Sequence, residues 1–219
     1  DGRVLFAVPW KNYVVVGTTD THVKKASEEP KALKEEVDFI LKNAGKYMSV
    51  KPKRDDIKSV FAGLRPLAAT SNKQSTKEVS RSHKIDISPS GLISVLGGKW
   101  TTYRKIAEDA LNTAISINKL KKKKCKTERT KLFGFKRNIS WSDPMHVYGS
   151  LKKKVESLGG INDNKSLSNK FYISNNIIEW SIIHEMALTV EDILARRTRC
   201  VFLDSKESKR IAPIVAQKM

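Results

Sequence analysis

Leu92-Ile93-Ser94-Val95-Leu96-Gly97-Gly98-Lys99 is the stretch that decides the fold of this 219-residue chain. Its apolar residues at 92–96 predict a strand, and the glycine pair that follows predicts a tight turn. From Tyr103 to Ile115, apolar residues recur at the i, i+3, i+4 and i+7 spacing of a helix with one buried face. The sequence therefore predicts a strand, a glycine turn and a helix in direct succession.

A glycine turn in this position can bind an anion. Glycine adopts dihedral angles that let backbone N–H groups approach a ligand, and the helix N-terminus adds positive potential. Lys99, Thr101 and Thr102 would add side-chain donors at the same place. Because many glycine pairs serve only as turns, the motif needs further support before it indicates a site.

The chain before this unit also alternates between strand and helix patterns. A short turn at Lys11-Asn12 predicts a hairpin, and a helix is expected from Glu28-Glu29-Pro30 to a stop at Gly45. A polar stretch at 70–80 has the composition of a loop. Apart from 92–96, the predicted strands cover 4–8, 13–16, 60–68 and 85–87.

Beyond residue 120 the pattern becomes helical. Helices are expected at 147–158, 177–188 and 190–197, and Thr189 with Asp192 predicts the start of the last one. A lysine-rich stretch around 121–126 separates these segments from the strands. We therefore expect two domains, an α/β portion at 1–120 and a smaller helical domain at 127–219.

A formal net charge of +19 makes an anionic partner a serious alternative. Clustered lysines bind nucleic acid by releasing counterions from phosphates, and they also bind anionic membranes. The densest run, at 119–124, has no interleaved aromatic residue that could stack on a base. This favours a solvated linker, with a basic nucleic-acid or membrane-binding module as the alternative.

The cysteines and histidines indicate neither a disulfide framework nor a metal site. Cys125 and Cys200 are far apart in sequence and are the only two cysteines, so free thiols are expected. His184-Glu185 begins like a zinc-binding HExxH motif, but Leu188 stands where the second histidine would be.

The stretch Gly97-Gly98-Lys99-Trp100-Thr101-Thr102-Tyr103-Arg104-Lys105 resembles the GGKxTTYRK motif of FAD-dependent glycerol-3-phosphate dehydrogenases. Other motifs of that family appear in the family's order, and the resemblance extends over nearly the whole chain. These motifs are Phe6-Ala7-Val8-Pro9-Trp10, Gly17-Thr18-Thr19-Asp20, Ala62-Gly63-Leu64-Arg65-Pro66-Leu67 and Ser80-Arg81. Near the carboxy terminus, the residues that resemble the family's helical domain are Ala187, Thr189, Asp192-Ile193-Leu194 and Arg196-Arg197-Thr198-Arg199.

The resemblance implies an oxidoreductase fold and a reaction. We expect the mixed-sheet, substrate-binding portion of an FAD-dependent oxidoreductase, followed by the helical domain. The family oxidises sn-glycerol 3-phosphate to dihydroxyacetone phosphate by hydride transfer to FAD, and the electrons leave to a quinone or, in oxidases, to oxygen. The helical domain could serve homodimerisation or membrane docking. The implied location is peripheral on a bacterial cytoplasmic or mitochondrial inner membrane, or cytoplasmic, and no specific nucleic acid is expected.

The matched motifs also imply roles for individual residues. Arg65 and Arg81 correspond to active-site arginines, which suit the binding of phosphate or carbonyl oxygen because a guanidinium stays charged and presents a fork of donors. Both are expected to bind substrate, and Arg65 is expected to be the catalytic one, closer to the flavin. The expected cofactor contacts are Gly97, Gly98, Lys99, Thr101 and Thr102.

Two departures from the family pattern limit this transfer. Family members often have aspartate after the Ser-Arg pair, where this chain has Ser82. The chain also contains no GxGxxG fingerprint and starts at Asp1 without an initiating methionine. We therefore expect a carboxy-terminal fragment that lacks most of the FAD-binding segment, does not retain FAD by itself and is inactive alone.

Overall fold

The computed structural model describes residues 5–65 and 83–219, which form two compact units. One unit contains residues 5–21, 27–62 and 133–219, and the other contains 22–26, 63–65 and 83–132. The amino-terminal hairpin thus belongs with the helical region. The predicted domain boundary near residues 121–126 remains a prediction for the longer protein.

A β-hairpin opens the first unit, as predicted. Strand β1 (Phe6–Trp10) pairs antiparallel with strand β2 (Tyr13–Gly17), and Trp10 lies opposite Tyr13. Lys11 makes the turn with a φ of 55°. Trp10 and Tyr13 also pack against the helical core, so the hairpin is attached to it at the turn end.

Helix α1 (Lys34–Ala44) follows the hairpin and ends at Gly45, as predicted. It starts later than expected from Glu28-Glu29-Pro30, because residues 28–33 are not helical. The side chain of Glu36 accepts a hydrogen bond from the backbone N–H of Leu33 at 2.9 Å, which satisfies one of the donors at this helix end.

The second unit contains the strand, turn and helix that the sequence predicted. Strand β3 (His83–Ile87) pairs antiparallel with strand β4 (Ile93–Gly97). A single 3-10 turn (Trp100–Thr102) leads directly into helix α2 (Tyr103–Ile117).

The predicted strand at 60–68 is wrong for residues 60–65, which have irregular backbone. Lys58 and Phe61, at the start of this stretch, contact helices of the first unit instead. The backbone N–H and the hydroxyl of Ser205 both donate to the carbonyl of Lys58, at 3.0 and 2.9 Å, and the ring of Phe61 packs edge-on against Phe202. The rest of that strand and the predicted loop at 70–80 lie outside the described residues.

Within the described residues the strands form two separate antiparallel ribbons and not one mixed sheet. Each strand pairs with its neighbour along the chain through a short turn, which is the simplest antiparallel connection. The fold is mixed α/β, and the mixed sheet of a substrate-binding portion remains a prediction for the longer protein.

The carboxy-terminal region is helical, as expected, but it differs in detail. The predicted helix at 147–158 is interrupted at Gly149, whose φ of 52° does not fit a helix. Two helices beyond residue 199 were not predicted. The elements are a 3-10 segment (His146–Leu151), α3 (Lys152–Glu156), a second 3-10 segment (Ile161–Asn164), α4 (Asn175–Glu185), a π-helical segment (Asp192–Arg197), α5 (Cys200–Leu203) and α6 (Ser205–Lys218).

The capping pair at Thr189 and Asp192 is confirmed. Asp192 Oδ2 accepts from the backbone N–H of Thr189 at 3.0 Å, and the backbone N–H of Asp192 donates to Thr189 Oγ1 at 3.1 Å. Two backbone donors at the start of this helix are thereby satisfied reciprocally.

The main hydrophobic core lies in the helical region. Ile173, Ile178, Ile193, Ile211 and Val215 have no exposed surface and pack in one cluster. No helix among the described residues is both long enough and apolar enough to cross a bilayer.

Candidate functional site at the glycine turn

The glycine turn ends β4 in a conformation that requires glycine. Gly97 and Gly98 have φ angles of 70° and 87°, in the region that L-residues with side chains rarely adopt. A Cβ built on Gly98 would lie 2.6 Å from Ile106 Cδ1 and 3.3 Å from His83 Cβ. The side of Gly98 that would carry a Cβ therefore faces protein, and the missing side chain allows α2 to approach the ribbon closely.

The next four residues turn the chain into α2. The backbone N–H and the hydroxyl of Thr102 both donate to the carbonyl of Lys99, at 3.0 and 2.9 Å. The hydroxyl proton of Thr102 is therefore used inside the turn, and only the acceptor lone pairs of its oxygen are left for a ligand. The side chains of Lys99, Thr101 and Thr102 are all exposed.

An exposed aromatic pair lies on the same turn. Trp100 is 86% exposed, and its ring stacks on that of Tyr103 with centroids 5.7 Å apart. A flat aromatic surface next to three side chains that can hydrogen-bond could take a planar heterocycle.

The last two residues of the matched motif are cations held by carboxylates on the same helix. Arg104 donates hydrogen bonds to Glu108 at 2.8 Å and to Thr127 at 3.3 Å, and the bond to Glu108 is the main cause that raises the pKa of Arg104. Lys105 binds Asp109 at 2.7 Å. Within the described residues, Lys99 is the motif cation whose side chain is not held by a carboxylate.

His83 and Asp109 were not singled out by the sequence analysis. His83 lies opposite Gly97 in the β3–β4 ladder, and its Nε2 is 3.1 Å from Asp109 Oδ2. Both side chains are partly buried, at 21% and 29% exposed. The i, i+3 spacing of Ile106 and Asp109 puts both on one face of α2, but it does not identify His83 as the partner of Asp109.

Of the two expected substrate arginines, Arg65 lies within the described residues. Arg65 is exposed on irregular backbone and belongs to the same compact unit as the glycine turn. Arg81 lies outside the described residues. The convergence of Arg65 with the turn on one substrate therefore stays a prediction.

A family model described as the C-terminal domain of alpha-glycerophosphate oxidase matches residues 93–219, more than half of the chain. The chain belongs to this family. The match begins at the first residue of β4, so the glycine turn, α2 and the helical region all lie inside the family domain.

Known proteins extend the similarity to the rest of the chain. The mitochondrial glycerol-3-phosphate dehydrogenases of Mesocricetus auratus and Homo sapiens are each 32% identical to it over 245 aligned residues, covering 100% of this chain and 33% of theirs. A probable mitochondrial glycerol-3-phosphate dehydrogenase of Dictyostelium discoideum is 34% identical, covering 100% of this chain and 38% of its own. The chain thus spans about a third of the length of the curated relatives it matches.

The described residues of this family domain fit one edge of a flavin. The isoalloxazine ring is planar when oxidised and its pyrimidine edge gains negative charge on reduction, and here Lys99 and Thr101 offer exposed donors beside the positive end of α2. Contacts to the adenine and pyrophosphate of FAD would have to come from elsewhere, because the chain has no GxGxxG fingerprint.

Proposed function

We propose that this chain contributes the flavin-edge contact and the substrate arginines of an FAD-dependent glycerol-3-phosphate dehydrogenase. In the reaction, the hydride on C2 of sn-glycerol 3-phosphate passes to FAD and the C2 hydroxyl proton passes to a base, giving dihydroxyacetone phosphate. The observation that carries the proposal is the strand, left-handed glycine pair and helix N-terminus inside the family-matched segment.

The residues of this chain would act by binding and by charge. Lys99 and the backbone N–H groups of Gly97 and Gly98 would stabilise the negative charge that the pyrimidine edge gains on reduction, with Thr101 as a further donor and Thr102 holding the turn. Arg65 and Arg81 would bind the substrate phosphate and the oxygen on C2. Arg65 would be the residue closer to the reacting carbon.

The electrons of reduced FAD would pass to a quinone. Support comes from the relatives, which are named as mitochondrial dehydrogenases. A peripheral location on the mitochondrial inner membrane follows from the same proposal. Homodimerisation through the helical domain is also proposed.

An oxidase is the second candidate, because the matching family model describes the domain of an oxidase. The two differ only in the acceptor. The full-length protein should be purified with its flavin and given sn-glycerol 3-phosphate, with either a soluble quinone and no oxygen or with oxygen alone. Quinone reduction with little oxygen uptake supports the dehydrogenase, and rapid peroxide formation supports the oxidase.

Substitutions of Arg65 test whether this part of the protein contributes to the activity. Arg65→Ala in the full-length protein should reduce kcat/KM by about 100-fold or more, as expected when a charged hydrogen bond to substrate is lost, and Arg65→Lys should recover only part of it. Absence of flavin reduction by sn-glycerol 3-phosphate in the wild-type protein would refute the proposed function.

A further inference from the structure

We infer that His83 is a positioning residue for the flavin contact, and that it acts by fixing helix α2 and the glycine turn through Asp109. This inference rests on the proposed function, which supplies the flavin. His83 is the first residue of β3 and pairs with Gly97 in the ladder, so its backbone lies next to the strand end at which the glycine turn begins.

The side chain of His83 adds a second attachment. Its Cβ lies 3.3 Å from the position that a Cβ of Gly98 would take, on the side where Ile106 also packs. Beyond that contact, its Nε2 reaches Asp109 Oδ2 at 3.1 Å. His83 therefore contacts the inner side of the turn and the helix that follows it.

Two contacts one turn apart help to hold helix α2 against the ribbon. Ile106 makes the apolar contact at Gly98, and Asp109, three residues later on the same face, makes the polar contact with His83. The polar contact limits how far the helix can tilt about the apolar one. With both in place, the backbone N–H groups of the first turn of α2 keep a fixed direction, as a preorganised charge-stabilising site requires.

The pair can be broken without leaving an isolated buried charge. Asp109 also binds Lys105 at 2.7 Å, and this contact is the main cause that holds the pKa of Asp109 below its usual range. After loss of the imidazole, Asp109 keeps this counter-ion, and a leucine at position 83 would keep the Cβ next to Gly98. The variant should therefore fold.

The test uses the full-length flavoprotein and three variants. His83→Leu removes the hydrogen bond, His83→Gln keeps a donor for Asp109, and Glu108→Gln breaks the Arg104–Glu108 pair on the same helix as a matched control. The measurements are the FAD dissociation constant, the flavin visible spectrum, and the rate of flavin reduction by sn-glycerol 3-phosphate per bound flavin.

We expect His83→Leu to weaken FAD binding and to slow reduction per bound flavin, each by about 10-fold, which is the size of effect of one hydrogen bond. The flavin spectrum should shift. Glutamine should restore both quantities to within about threefold, and Glu108→Gln should match the wild type.

Two results would overturn the inference. One is a His83→Leu protein with wild-type spectrum, FAD affinity and reduction rate. The other is a protein that melts at lower temperature but has a normal reduction rate per bound flavin, which would make the pair purely structural. If the FAD bound to the wild-type protein is not reduced by sn-glycerol 3-phosphate, the proposed function fails. The FAD affinities and flavin spectra of the variants still test the role of His83 in that case.

Discussion

Gly98 and Ile106 approach so closely that no side chain fits between them. A Cβ on Gly98 would lie 2.6 Å from Ile106 Cδ1, well inside van der Waals contact. The absence of a side chain at position 98 thus lets Ile106, and with it helix α2, come close to the end of strand β4. Position 98 must therefore be glycine for reasons of packing as well as of dihedral angle.

The first prediction separates these two requirements. Gly91, in the β3–β4 turn, has a φ of 85° and open space around its Cβ position, whereas Gly98 has a φ of 87° and the contact with Ile106. Gly91→Ala should cost about 1 kcal/mol of unfolding free energy from the dihedral alone, and Gly98→Ala about 2–4 kcal/mol from dihedral and overpacking together. Chemical denaturation measures both. Equal losses would show that Ile106 moves aside at no cost.

The sequence predicted the elements that depend on residues close to one another along the chain. The hairpin at Lys11-Asn12, the end of α1 at Gly45 and the glycine turn were all predicted, because turn residues and short apolar runs act within a few residues. The strand predicted at 60–68 was wrong over residues 60–65, where Phe61 packs on Phe202, a helix residue distant in sequence. Tertiary contacts of this kind leave no local pattern.

Other errors have identifiable causes. Gly149 interrupts an otherwise apolar helical pattern, and one glycine is often tolerated in a helix. Helix α6 contains Pro213, which is a helix breaker by propensity, yet Asp204 caps its start by accepting from the backbone N–H of Glu207 at 3.0 Å. The Asp-Ser-Lys-Glu stretch at 204–207 was the available signal for this helix. In the site, the His83–Asp109 contact joins residues 26 apart, which spacing alone does not reveal.

The second prediction concerns the helical core. Ile178 and Ile183 both lie on α4, but Ile178 is fully buried and Ile183 is 58% exposed. Ile178→Ala should lower the unfolding free energy by about 2–5 kcal/mol, because it removes buried methyl groups and leaves a cavity. Ile183→Ala should change it by less than about 0.5 kcal/mol. Similar losses for the two variants would contradict the packing described for α4.

The third prediction is an acid-dependent loss of stability at Glu207. Hydrogen bonds from Arg210 and then from Ser168 lower the pKa of Glu207 from 4.5 to about 2. A carboxylate whose pKa is lower in the folded state stabilises the fold above its unfolded pKa, and this contribution is lost as the pH falls through the folded value. The stability difference between wild type and Glu207→Gln should be constant above about pH 5 and should shrink between about pH 4.5 and 2. Denaturant titrations across this range test it, and a difference that does not change with pH would contradict it.

The fourth prediction uses the two thiols. Cys200 is 1% exposed, and burial raises the pKa of its thiol to about 11, whereas Cys125 is partly exposed. Alkylating reagents react with the thiolate, so at pH 8 the native protein should be labelled at Cys125 and only slowly at Cys200. Mass spectrometry of Cys125→Ser gives the rate at Cys200 alone. Denaturant should accelerate that rate at least 100-fold, and fast labelling without denaturant would show that α5 opens readily.

The last prediction concerns Lys99 in the full-length flavoprotein. A cation beside the pyrimidine edge stabilises the reduced, anionic ring more than the oxidised ring, so removing it should make the flavin harder to reduce. Lys99→Gln should lower the two-electron midpoint potential by about 20–60 mV, since 30 mV corresponds to about 1.4 kcal/mol for two electrons. Lys84→Gln is the matched control, because Lys84 is an exposed lysine on β3 of the same unit. Lys99→Arg should stay near the wild-type potential, since the positive charge is kept. If both glutamine variants lower the potential equally, the effect comes from net charge and Lys99 does not contact the flavin.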